Sequence, residues 1–458
     1  MNPIKNLKMN ESIIDKLTPV QLISLYYLIA ATIATILLAL PISQKNGVEL
    51  NFMEVFFTAV SAVSVTGLTV VTTADTFSVF GIFMIAIALQ IGGLGVMALG
   101  TLIWIVLGKK IGFKERRLIM TDQNTKSISG IVRLVKEMFL VVVAIELIGF
   151  LILGTYYLNY YDSILEAYYH GFFSAVSATT NGGFDITGNS LQSFQHDYFI
   201  QFVHMLLIIS GAIGFPVLIE VKEYLQTTEE ERNLKRFSLF TKLTTLTYFV
   251  LLAFSFVVII ILEFNHFFAD KSWHETFFYS LFQSTTARSG GLSTMDVNEF
   301  TEQTNLFISA MMFIGASPSS VGGGIRTTTF ALVIIFILTY ASGRSRVSIF
   351  GREIEENDLF KAVVVTLLAM LMFFSVVIMI TAIDSHLTLT SIIFEVSSAF
   401  GTTGLSMGIT NELSTFSQLL LIALMLIGRI GILTFLFSFN RGMKTHNYRY
   451  PKEKINIG

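Results

Sequence analysis

Thr58-Ala-Val-Ser-Ala-Val-Ser-Val-Thr-Gly-Leu-Thr69 recurs three more times along the chain in altered form. The later copies are Ser174-Ala-Val-Ser-Ala-Thr-Thr-Asn-Gly-Gly-Phe-Asp185, Phe282-Gln-Ser-Thr-Thr-Ala-Arg-Ser-Gly-Gly-Leu-Ser293 and Glu395-Val-Ser-Ser-Ala-Phe-Gly-Thr-Thr-Gly-Leu-Ser406. Laid over one another without gaps, they put Gly67, Gly183, Gly291 and Gly404 in one column, followed by Leu68, Phe184, Leu292 and Leu405. The column glycines are 116, 108 and 113 residues apart. A near-constant period means four copies of one structural unit. The expectation is that the four loops meet on one axis and form an ion filter.

Composition sets the medium. Of 458 residues 53% are apolar and only 14% charged, with 42 Phe and a mean hydropathy of +0.68. Soluble domains carry roughly a quarter charged residues, and apolar runs long enough for a ~30 Å hydrocarbon core recur throughout. The fold class expected is an all-α polytopic membrane protein. The absence of cysteine excludes disulfides, thiolate metal sites and cysteine nucleophiles. The polar start Met1–Lys8 has neither the apolar core nor the small-residue cleavage site of a signal peptide.

Each copy of the loop sits in the same context: a long apolar helix, a shorter semi-polar helix, the glycine loop, then a second long helix. In order these are Leu22–Leu40, Phe52–Val63 and Phe80–Leu107; Met138–Leu158, Ile164–Ser177 and Phe199–Ile219; Leu243–Phe264, Glu275–Thr285 and Leu306–Tyr340; Ala362–Ile383, Leu389–Ala399 and Leu419–Phe439. Segments of roughly 10–14 apolar residues between full spans read as re-entrant. Backbone leaving them is tolerated at membrane depth only beside protein or a water-filled cavity. The resulting division is a cytoplasmic arm 1–21, pore repeats 22–108, 131–225, 238–342 and 357–440, and a cytoplasmic tail 441–458. Eight transmembrane helices and four re-entrant pore helices surround a central pore.

Charge tests this topology. Of the 30 Lys and Arg, 25 fall in the arm, the three connectors and the tail, which two spans per repeat place on one side. By the positive-inside rule that side, with both termini, is cytoplasmic. Lys45 and Lys271 lie outside, and Arg288, Arg326 and Arg429 fall within repeats. The outer loops are acidic; most of these residues read as ordinary solvated positions. Asp185 and Asp296, two and five residues past their column glycines, are placed to raise local cation concentration.

A cation leaving water needs oxygen ligands, and rings of backbone carbonyls supply them. Aiming successive carbonyls at one axis demands unusual backbone angles, which glycine adopts freely. Val65-Thr66-Gly67, Asn181-Gly182-Gly183, Ser289-Gly290-Gly291 and Thr402-Thr403-Gly404 meet that need. Each short helix would point its partly negative C-terminus at the cavity, with Glu54, Glu166 and Glu275 near the positive ends of the first three. Close packing alone would explain one such loop, but four in register after half-spans favour the filter.

The third repeat differs. Leu306–Tyr340 as one helix would reach about 52 Å, yet Gly315-Ala-Ser-Pro-Ser-Ser-Val-Gly-Gly-Gly-Ile-Arg326 interrupts it. Pro318 and the three glycines disfavour helix, so 315–324 is expected as a polar intramembrane loop on the pore-lining helix, either a passive kink or a functional element. Arg429 sits in an almost wholly apolar helix. Burying it costs about 2.5–3.5 kcal/mol, so it needs a cavity and a partner; a structural tie to a neighbouring helix is the competing explanation. Arg326 is expected to anchor the loop, Arg288 to brace the third filter loop, and Glu146 to pair with another helix. Gly92-Gly-Leu-Gly95 and Gly211-Ala-Ile-Gly-Phe-Pro216 read as packing glycines.

From Leu22 to about Tyr450 these loops and spans resemble the Trk/Ktr/HKT superfamily of potassium transporters, and most closely the KtrB-type membrane subunit of bacterial Ktr systems. The resemblance implies a channel-like pore with a simplified filter at the twelve residues just named and potassium as cargo. It also implies a gate made of Ala316, Ser317, Pro318, Ser319, Ser320, Val321, Gly322, Gly323, Gly324 and Arg429. Gly67, where sodium-preferring plant relatives tend to carry serine, implies potassium preference. The family pattern further implies sodium as activator or coupled ion, a homodimer in the bacterial cytoplasmic membrane, and a cytosolic KtrA-type ring binding ATP or ADP, which the basic tail 441–458 is placed to reach. No catalysis is expected: the serines of the loop lack a Gly-x-Ser-x-Gly elbow and a nearby histidine, and no Gly-Lys-Ser/Thr follows the glycines. A secondary transporter of another cation or small solute is the alternative, disfavoured by fourfold rather than twofold repeats.

Overall fold

The computed structural model describes residues 17–108, 111–122, 130–232, 236–344, 346–432, 435–436, 451 and 453. Four long helices, Pro19–Ala39, Ile131–Tyr157, Leu239–Glu263 and Glu356–Ile383, are long and apolar enough to cross a membrane. Each leads to a short helix: Phe52–Ser64, Ile164–Thr179, Trp273–Thr286 and Leu389–Gly401. Starts are written into the sequence. Asn51 and Ser272 each form a capping box, with Glu54 and Glu275 returning to the cap's N–H, so two of the three acidic first-turn residues complete caps. Among the described residues, strand is confined to the hairpin Ser348–Ile349 with Arg352–Glu353.

The inner helices depart from the expected straight spans. Val79–Leu94 and Val96–Val106 meet at a 98° bend, and Tyr198–Ala212 and Phe215–Gln226 at 105°. The third is split into Glu302–Phe313 and Thr327–Ala341. The fourth, Thr415–Ile430, ends at Gly431, before the expected Phe439, in part beyond the described residues. The break is therefore a feature of every repeat. Gly95, Gly214 and Gly431 share nearly one conformation, φ 91°, 103° and 95° with ψ 136°, 131° and 139°, which L side chains disfavour.

Packing is cyclic. Leu68 joins a cluster with Leu421 and Met425 of the fourth repeat, and Phe184 one with Ile85 and Leu89 of the first. Leu292 joins Ile200 and Leu207 of the second, and Leu405 joins Ile308 and Met312 of the third. All four are at most 2% exposed. Each loop's apolar residue thus locks into the preceding repeat, closing a ring of four. Lipid-facing sides carry exposed Leu147, Ile148, Leu151, Leu367, Leu371 and Ile378, as helices in an apolar solvent should.

Candidate functional site

The four loops share a backbone that glycine alone does not explain. Val65, Asn181, Ser289 and Thr402 all take positive φ, 57°, 54°, 68° and 46°, as do Gly67, Gly183, Gly291 and Gly404 two residues later, at 93°, 66°, 74° and 94°. The residue between is not left-handed in any loop. Alternating handedness turns successive carbonyls the same way. For β-branched Val65 and Thr402 it is a costly conformation, one the surroundings must enforce.

They enforce it with one bond per loop to the short helix that precedes it. The N–H of the middle residue donates to a helix-end carbonyl: Thr66 to Ser61 at 2.8 Å, Gly182 to Ser177 at 2.7 Å, Thr403 to Ser398 at 2.8 Å and Gly290 to Thr286 at 2.7 Å. The third spacing is one residue shorter, so gapless alignment holds for the filter triplets and slips by one on the helix side. The same four hydroxyls brace the glycine column. Ser61 and Ser398 accept from the N–H of Gly67 and Gly404 at 3.1 and 3.0 Å. Ser177 and Thr286 donate to the carbonyls of Phe184 and Leu292, both at 2.6 Å.

The column glycines meet. A Cβ built on Gly67 would lie 2.7 Å from the Gly182 oxygen and 2.8 Å from the Cα of Gly183. One on Gly183 would lie 3.0 Å from the Cα of Gly291, and one on Gly404 would lie 3.2 Å from Gly291 Cα and 3.1 Å from Gly67 Cα. The carbonyl oxygens of Thr66 and Thr403 crowd the same positions on Gly404 and Gly291. Four backbones thus converge, with the oxygens of Thr66, Gly182 and Thr403 facing the neighbouring repeat's glycine. A vestibule of about 200 Å³ opens onto Gly67, Gly183, Gly291 and Gly404 and is lined by Asp185 and Asp296. Both carboxylates also hold local turns: Asp185 accepts from Thr187 and Gly188, and Asp296 from Asn298. Two other acids of the loops expected outside are structural, Asp384 accepting from Ser414 and Asp197 capping Tyr198–Ala212.

Directly below lies the loop of the third repeat. A Cβ on Gly322 would meet Ser289 Oγ at 2.6 Å, and one on Gly323 would meet Thr402 Oγ1 at 2.6 Å, so the glycine run fits against the third and fourth glycine loops. The loop also caps the break of the second repeat. Ser317 and Val321 donate N–H to the carbonyls of Ala212 and Gly211, at 3.0 and 3.2 Å, and Ser319 accepts from the N–H of Phe215 at 2.8 Å. Arg429, 7% exposed, donates to the carbonyls of Ser320 and Val321 on the loop and of Gly92 and Gly93 on the first repeat. Arg326 donates to Ser317 and Gly322 within the loop, as an anchor does. Arg288 reaches from the third filter loop to the Ile314 carbonyl at 2.6 Å, and Gln90 donates to Glu146 at 2.5 Å between repeats one and two. The proposed tail contact at 441–458 falls almost wholly outside the described residues.

Gly95 and Gly214, read from the sequence as packing glycines, and Gly431, which the sequence reading missed, are the points where the helices break. Their signal was present as Gly-x-aliphatic-Gly at 92–95, 211–214 and 428–431. The first glycine of each does pack, since a Cβ there would strike the carbonyl of Val63, Thr179 or Phe400; the last one breaks the helix.

A model of the TrkH family, described as cation transport protein, matches residues 11–448. The chain belongs to the TrkH cation transport family. It is 56% identical over 446 residues to Ktr system potassium uptake protein D of Bacillus subtilis, covering 97% of this chain and 98% of that one. It is 37% identical to Ktr system potassium uptake protein B of the same organism, over 97% of each, and 32% identical to the potassium/sodium uptake protein NtpJ of Enterococcus hirae, over 98% and 99%. The crystal structure of the potassium transporter TrkH from Vibrio parahaemolyticus superposes with a TM-score of 0.71 at 17% identity, over 95% of this chain and 87% of that one. The TrkH family is one of transporters, and the four-repeat helical architecture read from the loops is the one it shares.

Proposed function

We propose that this chain is the ion-conducting subunit of a potassium uptake system, taking potassium across a cell membrane through the ring of Gly67, Gly183, Gly291 and Gly404. The observation that carries this is the convergence of four identically alternating backbones on those glycines. Carbonyls so arranged replace a hydration shell without placing a full charge on the axis. The four segments 22–108, 131–225, 238–342 and 357–440 act as pore repeats, with both termini cytoplasmic. The B. subtilis proteins named for Ktr potassium uptake support the choice of ion.

The loop 316–324 and Arg429 form the gate. In support, the loop fills the space beneath the filter, and the guanidinium joins it to the first repeat. A cation held there opposes another on the axis. Sodium acts as activator or coupled ion, consistent with the potassium/sodium naming of the E. hirae relative. The chain pairs with a second copy and with a cytosolic KtrA-type ring that binds ATP or ADP. The test is rubidium against sodium flux in liposomes holding the purified protein, with and without Gly183→Ser. Rubidium is expected to pass in preference and Gly183→Ser to abolish that preference; no rubidium flux in the wild type, or an unchanged preference in the variant, would overturn the filter.

A further inference from the structure

The inner half-helices Val79–Leu94 and Thr415–Ile430 end at Gly95 and Gly431, and Tyr198–Ala212 is capped by Ile213, one residue before Gly214, so a glycine stops the helix in each. A helix end exposes carbonyls with no intrahelical partner and carries the partly negative pole of the helix dipole. Beneath the filter these ends form a second tier of cation-attracting backbone. The structure provides a donor for each of the ends nearest the loop. The end of the first repeat, Gly92 and Gly93, holds the guanidinium of Arg429. The end of the second, Gly211 and Ala212, holds the N–H groups of Val321 and Ser317. Val321 joins the two halves, giving its N–H to Gly211 and its carbonyl to Arg429. Arg429 itself is buried, and its Nε has no hydrogen-bond partner among the described residues. The cage therefore holds a buried monovalent cation on four main-chain oxygens, with the Tyr27 hydroxyl hydrogen-bonded at its side, and carbonyl oxygens are the ligands a potassium ion takes.

We propose that the carbonyls of Gly92, Gly93, Gly211 and Ala212 form a second site for a bare or half-hydrated monovalent cation, and that Arg429 is its tethered occupant while the pore is shut. The proposal rests on the gate reading and deepens it. Arg429 shuts the pore as a competitor for the ligands of the permeating ion, in addition to repelling it. When the loop withdraws, Val321 and Ser317 release Gly211 and Ala212 as Arg429 releases Gly92 and Gly93. An ion leaving the filter then meets carbonyls instead of an apolar drop.

Arg429→Ala and Arg429→Gln separate this from simple repulsion; the glutamine retains the bulk should the alanine variant fail to fold. Two measurements are made on the full-length protein: rubidium sites located by anomalous scattering, and rubidium leak from liposomes with guanidinium chloride at sub-denaturing concentration. The expected result is one additional rubidium at Gly92, Gly93 and Gly211 in the variants, and a leak that free guanidinium lowers about tenfold, the factor a single well-placed charged hydrogen bond supports. The wild type, its site filled, should change less than about twofold under guanidinium. An unchanged rubidium count, or equal action of guanidinium on wild type and variants, would overturn the second site. Wild-type protein that takes up no rubidium would sink the transport reading instead, and the rubidium count would still decide this one.

Discussion

The filter tier and the break tier are built from the same four repeats and have diverged in opposite ways. In the filter the side chains differ, Val65, Asn181, Ser289 and Thr402, yet the backbone is the same four times. In the breaks, the backbone of repeats one, two and four is held in common at Gly95, Gly214 and Gly431. There the third repeat inserts a loop and the fourth places Arg429. An ion on an axis is best held by equal ligands from all sides, so the proposed filter would tolerate variation only where it leaves the carbonyls in place. A plug on the same axis has room for one chain. Four equivalent plugs would exclude one another, so on the proposed gate reading obstruction comes from one quadrant and is fastened from another.

If that contrast is real, a methyl group should matter far more in the upper tier than in the lower. Gly404→Ala would force a Cβ against the Thr66 carbonyl in a left-handed backbone. Rubidium flux should fall by about a hundredfold or more, equivalent to roughly 3 kcal/mol of strain at the constriction. Gly404→Ala with wild-type flux and selectivity would dissolve the distinction between the tiers. Deleting 316–324 should act oppositely, raising rubidium flux about tenfold, a barrier change of roughly 1.4 kcal/mol. The preference over sodium should survive, because the four braces of the filter belong to the pore helices. Unchanged flux in that deletion would remove the loop from the gate.

Much of this was legible because repetition supplies its own control. One small-residue turn such as Thr58–Thr69 is ambiguous, whereas four in register disclose the glycine column, the re-entrant helices and the single anomalous repeat. Three things were hidden. Valine disfavours positive φ, so nothing at Val65 announced a left-handed residue; that conformation is imposed by the Thr66 to Ser61 bond and burial. The breaks were hidden by redundancy of cause, since a glycine that packs and a glycine that bends look alike in sequence. Gly92 packs against Val63 while Gly95, three residues on, turns the chain, and only neighbouring atoms separate the two roles. The missing residue in the third pore helix escaped for a related reason: the triplets align without a gap, and the slip lies where no glycine marks it.

Gly431→Ala is the lower-tier counterpart. Nothing lies within 4 Å of a Cβ built there, so the cost is backbone alone, about 1–2 kcal/mol for one left-handed L residue. The measurement is thermal unfolding in detergent beside rubidium flux: a modest loss of stability is expected, with flux within about threefold of wild type, under 1 kcal/mol. A collapse of selectivity in this variant would mean that the break shapes the filter, contrary to the separation of tiers.

The finest distinction lies inside the filter itself, among four hydroxyls that occupy one structural position. Ser61 and Ser398 accept from the glycine N–H, while Ser177 and Thr286 donate to the next carbonyl. Ser61→Ala leaves the buried Gly67 N–H without that acceptor, whereas Thr286→Ser retains a hydroxyl able to donate to Leu292. A single neutral hydrogen bond contributes about 1 kcal/mol net. Rubidium-over-sodium selectivity should therefore drop about fivefold in Ser61→Ala and in Ser398→Ala, and stay within about twofold in Thr286→Ser. If both alanine variants keep full selectivity, the alternating backbone is held by the Ser61 and Ser398 carbonyls alone, and the hydroxyls only fill space. If one quadrant suffers and the other does not, the ring is less equal than its geometry implies, and the equality that separates it from the break tier belongs to the backbone shape, with the restraints differing from quadrant to quadrant.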